Sequence, residues 1–191
     1  MSNLDSHDDD IRMVRQSLEG DALASRYLFD KYRDRVFRIA YRYLGNREDA
    51  MDALQQAFIN AFASLSSFTG QSSFYTWLAR IAVNSSIDLR RKRGRRAEKT
   101  RDQEALELGR LPKRQSESTP EELVERNELE EALGNAIEEL PELQKAVVVL
   151  HTHEQMSYKE IAEILGCSIG TVMSRLFYAR KKLQKKLADY L

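Results

Sequence analysis

Apolar residues recur at helical spacing along most of the chain. Within residues 24–45 they form one stripe, consisting of Leu28, Tyr32, Val36, Ile39 and Tyr43. Similar stripes occupy residues 47–65 and 74–89, and the pattern resumes after Pro120. A spacing of about 3.6 residues predicts amphipathic α-helices, and no alternating run longer than AVVVL suggests a strand. We therefore expect an all-α fold.

The helical pattern has one long interruption. Residues 94–120 are polar and charged and contain few aromatic residues, which is typical of a flexible linker. A short helix around residues 102–111 is an alternative for part of this segment. Beyond it, Pro141 breaks the pattern between two helices. We therefore expect two small helical domains, residues 1–93 and 121–191, joined by that linker.

Charge is balanced in total but sorted into blocks. The chain has 30 Lys+Arg and 30 Asp+Glu residues. Basic residues dominate residues 80–101 and 175–186, whereas residues 102–142 are acidic. Because each basic block can present its own cationic surface, the balanced total does not exclude nucleic acid as a partner.

Other features of the composition narrow the class of protein. The single cysteine, Cys167, excludes an internal disulfide and a multi-cysteine metal site, and we expect it to be a small buried filler. The longest apolar run, residues 146–150, is far shorter than the roughly 20 residues that cross a bilayer. The N-terminus is acidic, unlike a signal peptide. We expect a soluble, cytoplasmic protein.

The histidines offer little for catalysis. His7 lies in an acidic N-terminal tail that we expect to be disordered, and His151 and His153 form an H-x-H pair without further ligands nearby. That pair could bind a metal, but it is more typical of a surface turn. With no phosphate-binding glycine loop either, we expect no catalytic residue, metal, cofactor or small-molecule substrate, and hence no enzyme.

Residues 157–187 have the pattern of a helix-turn-helix. Ser157 and Glu160 show the S-x-x-E spacing of a capping box, which starts a helix. Gly166 can adopt the left-handed conformation that ends it, and Ser168 can cap the next helix. An ordinary helical hairpin with a solvated basic face is the alternative.

The outward side chains of the second helix of this motif change in chemical character along its length. Its buried stripe is predicted to be Val172, Leu176, Leu183 and Leu187. The outward side is small and polar in its first half and basic further on, with Arg180, Lys181, Lys182, Lys185 and Lys186. A helix that reads DNA needs such a surface, because the first half approaches base edges while cations contact phosphates.

A second informative stretch is FTGQSSFYTWLARIAVNSSIDLRRKRGRR, residues 68–96. It couples a Gly/Ser loop to a cationic helix, and neighbouring aromatic rings suit unstacked bases. Taken alone, Phe68, Phe74 and Trp77 are more typical of a hydrophobic core.

The two stretches together resemble the bacterial extracytoplasmic-function (group 4) sigma-70 factors. Residues 68–84 follow that family's region 2 pattern, F-x-G-x-S-x-F-x-T-W-L-x-R-I-A-x-N, and the helix-turn-helix is similar to its region 4. The resemblance implies a protein that binds core RNA polymerase, at the β′ clamp helices and the β flap, and promoter DNA at the −10 and −35 elements. It also implies an anti-sigma factor, which in this family is often anchored at the inner membrane face.

Roles for individual residues follow from the resemblance. It implies polymerase contacts at Asp49, Asp52 and Gln55, although without the family these would be a solvated face. It implies contacts to the −10 element, including a pocket for a flipped base, at Phe68, Ser72, Ser73, Arg80, Asn84, Asp88 and Arg91. It implies contacts to the −35 element at Thr171, Met173, Ser174, Arg175, Tyr178, Arg180 and Lys181. Since Met173 and Tyr178 stand where many members carry arginine, the promoter sequence cannot be copied from a relative.

Two other functions fit parts of the sequence. A stand-alone helix-turn-helix regulator, dimerising on palindromic DNA, would account for the C-terminal half only. A module whose basic helices dock on an acidic protein would account for the charge blocks, and its function would not depend on DNA sequence.

Overall fold

A computed structural model describes residues 3–99 and 132–188. Every regular element within these ranges is helical, which confirms the predicted all-α class. The described helices fall into two compact units, the first containing residues 3–99 and the second containing residues 132–188 except Glu163–Leu165. Most of the predicted linker, and the predicted helix at Leu123 and Leu129, lie outside the described residues.

Within residues 3–99 the first unit contains four helices, and the first of them includes His7, so the expectation of a disordered N-terminal tail is wrong. They are α1 (Asn3–Leu18), α2 (Ala22–Leu44), α3 (Arg47–Ala63) and α4 (Phe74–Lys99), with a 3-10 turn at Leu65–Ser67. Short polar residues cap two of these helices. The Asp21 side chain accepts hydrogen bonds from backbone NH groups at the start of α2, and the Asn46 side chain accepts one at the start of α3. Gly45 has a φ of 81° and ends α2, as the sequence predicted.

The core of this unit lies between α2, α3 and α4. The predicted stripe of α2 is buried throughout, and it meets the buried faces of the other two helices, which include Ala50, Ala57, Phe58, Leu78 and Val83. Each large apolar side chain buried in this way contributes about 1.5–3 kcal/mol of hydrophobic stabilisation. The packing leaves the opposite faces of α3 and α4 open to solvent.

Helix α4 continues beyond the predicted end of the first domain at residue 93. Residues 94–99, predicted as the start of the linker, extend the same helix to Lys99. Gly94 costs a helix only about 1 kcal/mol relative to alanine. The favourable free energy of helix formation by the residues on both sides of Gly94 outweighs this cost.

The second unit contains the remaining helices. They are α5 (residues 132–138), α6 (Glu142–Val148), which continues as one π-helical turn at Val149–His153, α7 (Tyr158–Leu165) and α8 (Ile169–Lys186). Its core includes Val147, Leu150, Ile161, Val172 and Leu176. Within the core, the fully buried Lys145 pairs with Glu138, so the charge of the ammonium is balanced across the α5–α6 turn.

No single helix within the described ranges is long and apolar enough to cross a membrane. Helices α7 and α8 pass such a test only when taken together, and they are bent by 99° relative to each other.

Candidate nucleic-acid and polymerase interfaces

The predicted helix-turn-helix is confirmed by the geometry of α7 and α8. The backbone NH and the hydroxyl of Ser157 donate to Glu160 Oε2 at 2.9 and 2.7 Å, and the Glu160 NH donates back to Ser157 Oγ at 3.3 Å. Gly166 has a φ of 60°, the left-handed conformation that ends α7. Helix α8 then leaves at 99° to α7, an angle typical of this motif.

Hydroxyl groups organise the first turn of α8. Ser168 Oγ accepts a hydrogen bond from the Thr171 backbone NH at 3.1 Å and lies 2.9 Å from Thr171 Oγ1. Ser174 Oγ donates to the Thr171 carbonyl at 3.0 Å. Ser174 is nevertheless exposed and Thr171 half-buried. Two of the predicted −35 residues therefore lie at a compact helix start that backbone groups of a duplex can approach.

The outward face of α8 is more apolar than its sequence pattern predicted. Met173 and Tyr178 are exposed, as required for their predicted role, and so is Phe177, which is 62% accessible. The rings of Phe177 and Tyr178 lie edge to face with centroids 5.4 Å apart. Phe177 is not among the residues predicted for this face, although it lies four residues after Met173 and therefore on the same side of α8.

Arg175 is held beside the turn. Its Nη1 donates to Cys167 Sγ at 3.5 Å, and its side chain is half-buried. Cys167 was expected to be a buried filler, but it is only half-buried. The reason is that the turn after Gly166 lies at the surface, where only one side of the thiol is covered.

The basic side chains at the end of α8 differ in their surroundings. Arg180, Lys181 and Lys185 are exposed. Lys182 Nζ donates to the Glu139 carbonyl at 2.6 Å, and Lys186 Nζ lies 2.8 Å from Glu139 Oε2. Hydrogen bonding and the charge of Lys186 lower the pKa of Glu139. Two of the five cations that the sequence assigned to phosphates thus already contact Glu139, the residue that follows α5.

In the first unit, the predicted flipped-base loop leads into α4. Ser73 Oγ accepts from the Thr76 backbone NH at 3.0 Å, so Ser73 caps the helix. Phe74 is buried, whereas Phe68 and Trp77 are half-buried with their rings 5.6 Å apart. The prediction that these aromatic residues belong to the hydrophobic core is therefore confirmed fully only for Phe74. One side of each of the other two rings stays accessible.

The remaining predicted −10 residues share one face of α4. Arg80, Asn84, Asp88 and Arg91 are all exposed and follow one another at spacings of three or four residues. Such spacing places them in one row along the helix. The structure therefore brings together cations and hydrogen-bonding groups that can contact a single nucleic-acid strand.

The predicted polymerase residues on α3 differ in their surroundings. Asp52 and Gln55 are exposed. Met51 and Ile59, the latter 56% accessible, lie one turn on either side of Gln55 and make that face partly apolar. Asp49 is instead half-buried, and its carboxylate accepts hydrogen bonds from Asn46 and from Arg93 in the last third of α4.

Both units match established families. Residues 28–96 match the family model of sigma-70 region 2, and residues 130–183 match that of sigma-70 region 4. These two regions contain the helical row of α4 and the helix-turn-helix, respectively.

Whole-chain comparisons agree with these matches. The chain is 37% identical to the ECF RNA polymerase sigma-E factor of Haemophilus influenzae over 93% of this chain and 95% of the relative. It is 34% identical to the RNA polymerase sigma-H factor of Pseudomonas aeruginosa over 97% of each chain. It is 36% identical to the sigma-E factor of Escherichia coli K12 over 92% of each.

Solved structures share the fold. The sigma factor RpoE of Bartonella quintana, in complex with the anti-sigma factor NepR, has a TM-score of 0.67 at 24% identity and covers 85% of this chain and 96% of its own. CnrH, in complex with the cytosolic domain of CnrY, has a TM-score of 0.66 at 24% identity and covers 95% of this chain and 98% of its own.

Proposed function

The chain belongs to the extracytoplasmic-function sigma factors of the sigma-70 family, and we propose which of its surfaces serve each part of that function. As a member, it binds core RNA polymerase and directs transcription initiation from specific promoters. One observation carries the assignment of surfaces: each matched region exposes a separate row of polar and basic side chains, on α4 and on α8.

Helix α8 is assigned to the −35 element. Its first half exposes Met173, Ser174 and Tyr178, with Thr171 and Arg175 at the compact helix start, and these side chains would reach base edges in the major groove. Arg180 and Lys181, further along, would bind phosphates. The apolar Met173 is suited to a thymine methyl group, a contact that arginine at this position would not make.

Helix α4 and its preceding loop are assigned to the −10 element. The row from Arg80 to Arg91, with Asn84 and Asp88 between them, would follow the separated strand. The loop residues Phe68, Ser72 and Ser73 would bound the pocket for a flipped base. Flipping a base out of the duplex costs a few kcal/mol, and a preformed ring surface offsets part of that cost.

The exposed face of α3 is assigned to core polymerase. Asp52 and Gln55 supply polar contacts there, and the neighbouring Met51 and Ile59 supply apolar area that would be buried on docking. Exposed apolar side chains next to polar ones are typical of a binding surface. Because the carboxylate of Asp49 is bound to Arg93, we assign it no direct polymerase contact.

Regulation and location are proposed from the family. We expect an anti-sigma factor to bind this protein, as in the two solved complexes of the same fold. We place the protein in the cytoplasm, held at the inner membrane face when its anti-sigma factor is membrane-anchored. Its action is binding alone, without a catalytic step, metal or cofactor.

Run-off transcription tests the proposal. Purified core RNA polymerase would be supplied with fragmented genomic DNA, with and without this protein, and the 5′ ends of the transcripts mapped. New start sites that share −35 and −10 elements are the expected result. Polymerase-independent binding to a palindrome, with no new start sites, would favour the dimeric regulator instead.

A further inference from the structure

The carboxylate of Asp49 joins the beginning of α3 to Arg93 in the last third of α4. It accepts hydrogen bonds from Asn46 Nδ2 at 2.8 Å and from Arg93 Nη1, and the Asp49 NH donates to Asn46 Oδ1 at 2.8 Å. The Asp49 side chain is only 20% exposed. A side chain held by two donors and mostly covered is poorly placed to contact another protein.

Asp49 also suits its position in α3. It lies in the first turn of that helix, where the helix dipole favours an anion. Arg93 lies before the last turn of α4, so the pair gains from the dipole of α3 and from its own attraction. It also balances one positive charge in a stretch of α4 that holds Arg90, Arg91, Lys92, Arg93 and Arg95.

A second polar link joins the last turn of α3 to the middle of α4. Asn60 Nδ2 on α3 donates to Ser85 Oγ on α4 at 3.5 Å, directly beside the exposed Asn84. These two polar links add to the apolar packing of α4 against α2 and α3 in fixing the rotation of α4 about its own axis. The direction that the row of proposed −10 residues faces therefore depends in part on α3.

We propose that Asp49 is a positioning residue for promoter recognition rather than a polymerase contact. Through Arg93 it aligns the −10 row of α4 with the helix that docks on polymerase. This inference rests on the proposed roles of α3 and α4. It predicts that Asp49 and Arg93 act as one unit in binding DNA.

A double-mutant cycle tests the inference in the full-length protein. Asp49→Ala, Arg93→Ala and the double variant would each be assembled with core polymerase. Two affinities are measured: that of the sigma factor for core, and that of the holoenzyme for forked DNA carrying the −10 element mapped by run-off transcription. We expect each single variant to bind forked DNA about fivefold more weakly, and the double variant no worse than the singles. Core affinity should not change.

Matched controls separate this inference from the proposed function. Asp52→Ala should weaken core binding alone, and Arg95→Ala, two residues beyond Arg93, should add its effect independently of Asp49. Asp49→Glu should restore part of the DNA affinity, which excludes a mere folding defect. Weaker core binding by Asp49→Ala, or additive losses in the cycle, would overturn the inference. Failure of wild-type holoenzyme to bind the fork would instead overturn the proposed function.

Discussion

The hydroxyl of Tyr32 on α2 donates a hydrogen bond to the buried carboxylate of Asp10 on α1. Lys31 Nζ contacts the other oxygen of the same carboxylate at 2.6 Å. Burial, followed by the hydrogen bond to Asp10, raises the pKa of Tyr32 far above its ordinary value of 10.0. This contact holds α1 against α2 and makes the stability of that packing sensitive to alkaline pH.

Tyr32→Phe should remove that alkaline sensitivity. A raised pKa in the folded state means that the stabilisation is complete below the unfolded pKa of about 10 and is lost as the pH rises above it. Wild-type unfolding free energy should therefore decrease as the pH rises above about 10 and continue to decrease toward the raised folded-state pKa, and that of Tyr32→Phe should decrease less. Denaturant unfolding at each pH measures both. An equal decrease in the two proteins would show that Tyr32 does not titrate as the structure requires, and the exposed Tyr178→Phe serves as control.

Glu139→Gln should change the acid response of the second unit. Lys186 lowers the pKa of Glu139 from 4.5, so the contribution of this contact is present above the unfolded pKa and disappears as the pH falls through the folded one. The variant should be less stable than wild type at pH 7, and the two should converge at low pH. Helix unfolding followed by circular dichroism, at low salt, measures the difference. Divergence at low pH would contradict the assignment.

Gly166→Ala should destabilise the helix-turn-helix. A φ of 60° places alanine in the left-handed region at a cost of about 1–2 kcal/mol, although the space for a methyl group is open. Thermal unfolding measures the loss. Gly170→Ala, within the first turn of α8, is the matched control because its φ is not positive and alanine favours a helix. Equal melting temperatures for Gly166→Ala and wild type would exclude a strained turn.

Arg175→Ala should relax −35 specificity. A side chain that reads a base edge contributes about 1–3 kcal/mol of discrimination, whereas a phosphate contact is independent of sequence. Holoenzyme binding should therefore weaken more on the mapped −35 element than on a scrambled one. Lys185→Ala should weaken both equally and reduce the salt dependence. If Arg175→Ala has the same effect on both DNAs, Arg175 contacts only the backbone.

The sequence predicted the local features of the site well. The capping box of Ser157 and Glu160, the left-handed Gly166 and the cap at Ser168 all involve groups within a few residues of one another. Such groups meet whenever the helix forms, so their spacing is sufficient to predict the contact. The row from Arg80 to Arg91 is similar, since helical geometry alone places its members on one face.

The sequence by itself therefore determined the all-α class, the end of α2, the two helices of the helix-turn-helix with the turn between them, and the family to which the protein belongs, but not helix α1 or the end of α4. Only the tertiary structure decided which polar groups are engaged: Asp49 with Arg93, 44 residues away, and Lys186 with Glu139, 47 residues away. It also decided that Phe177 is exposed. The physical reason is that the packing of distant helices sets both the partner of a charge and the buried side of a stripe, and spacing within one helix contains neither.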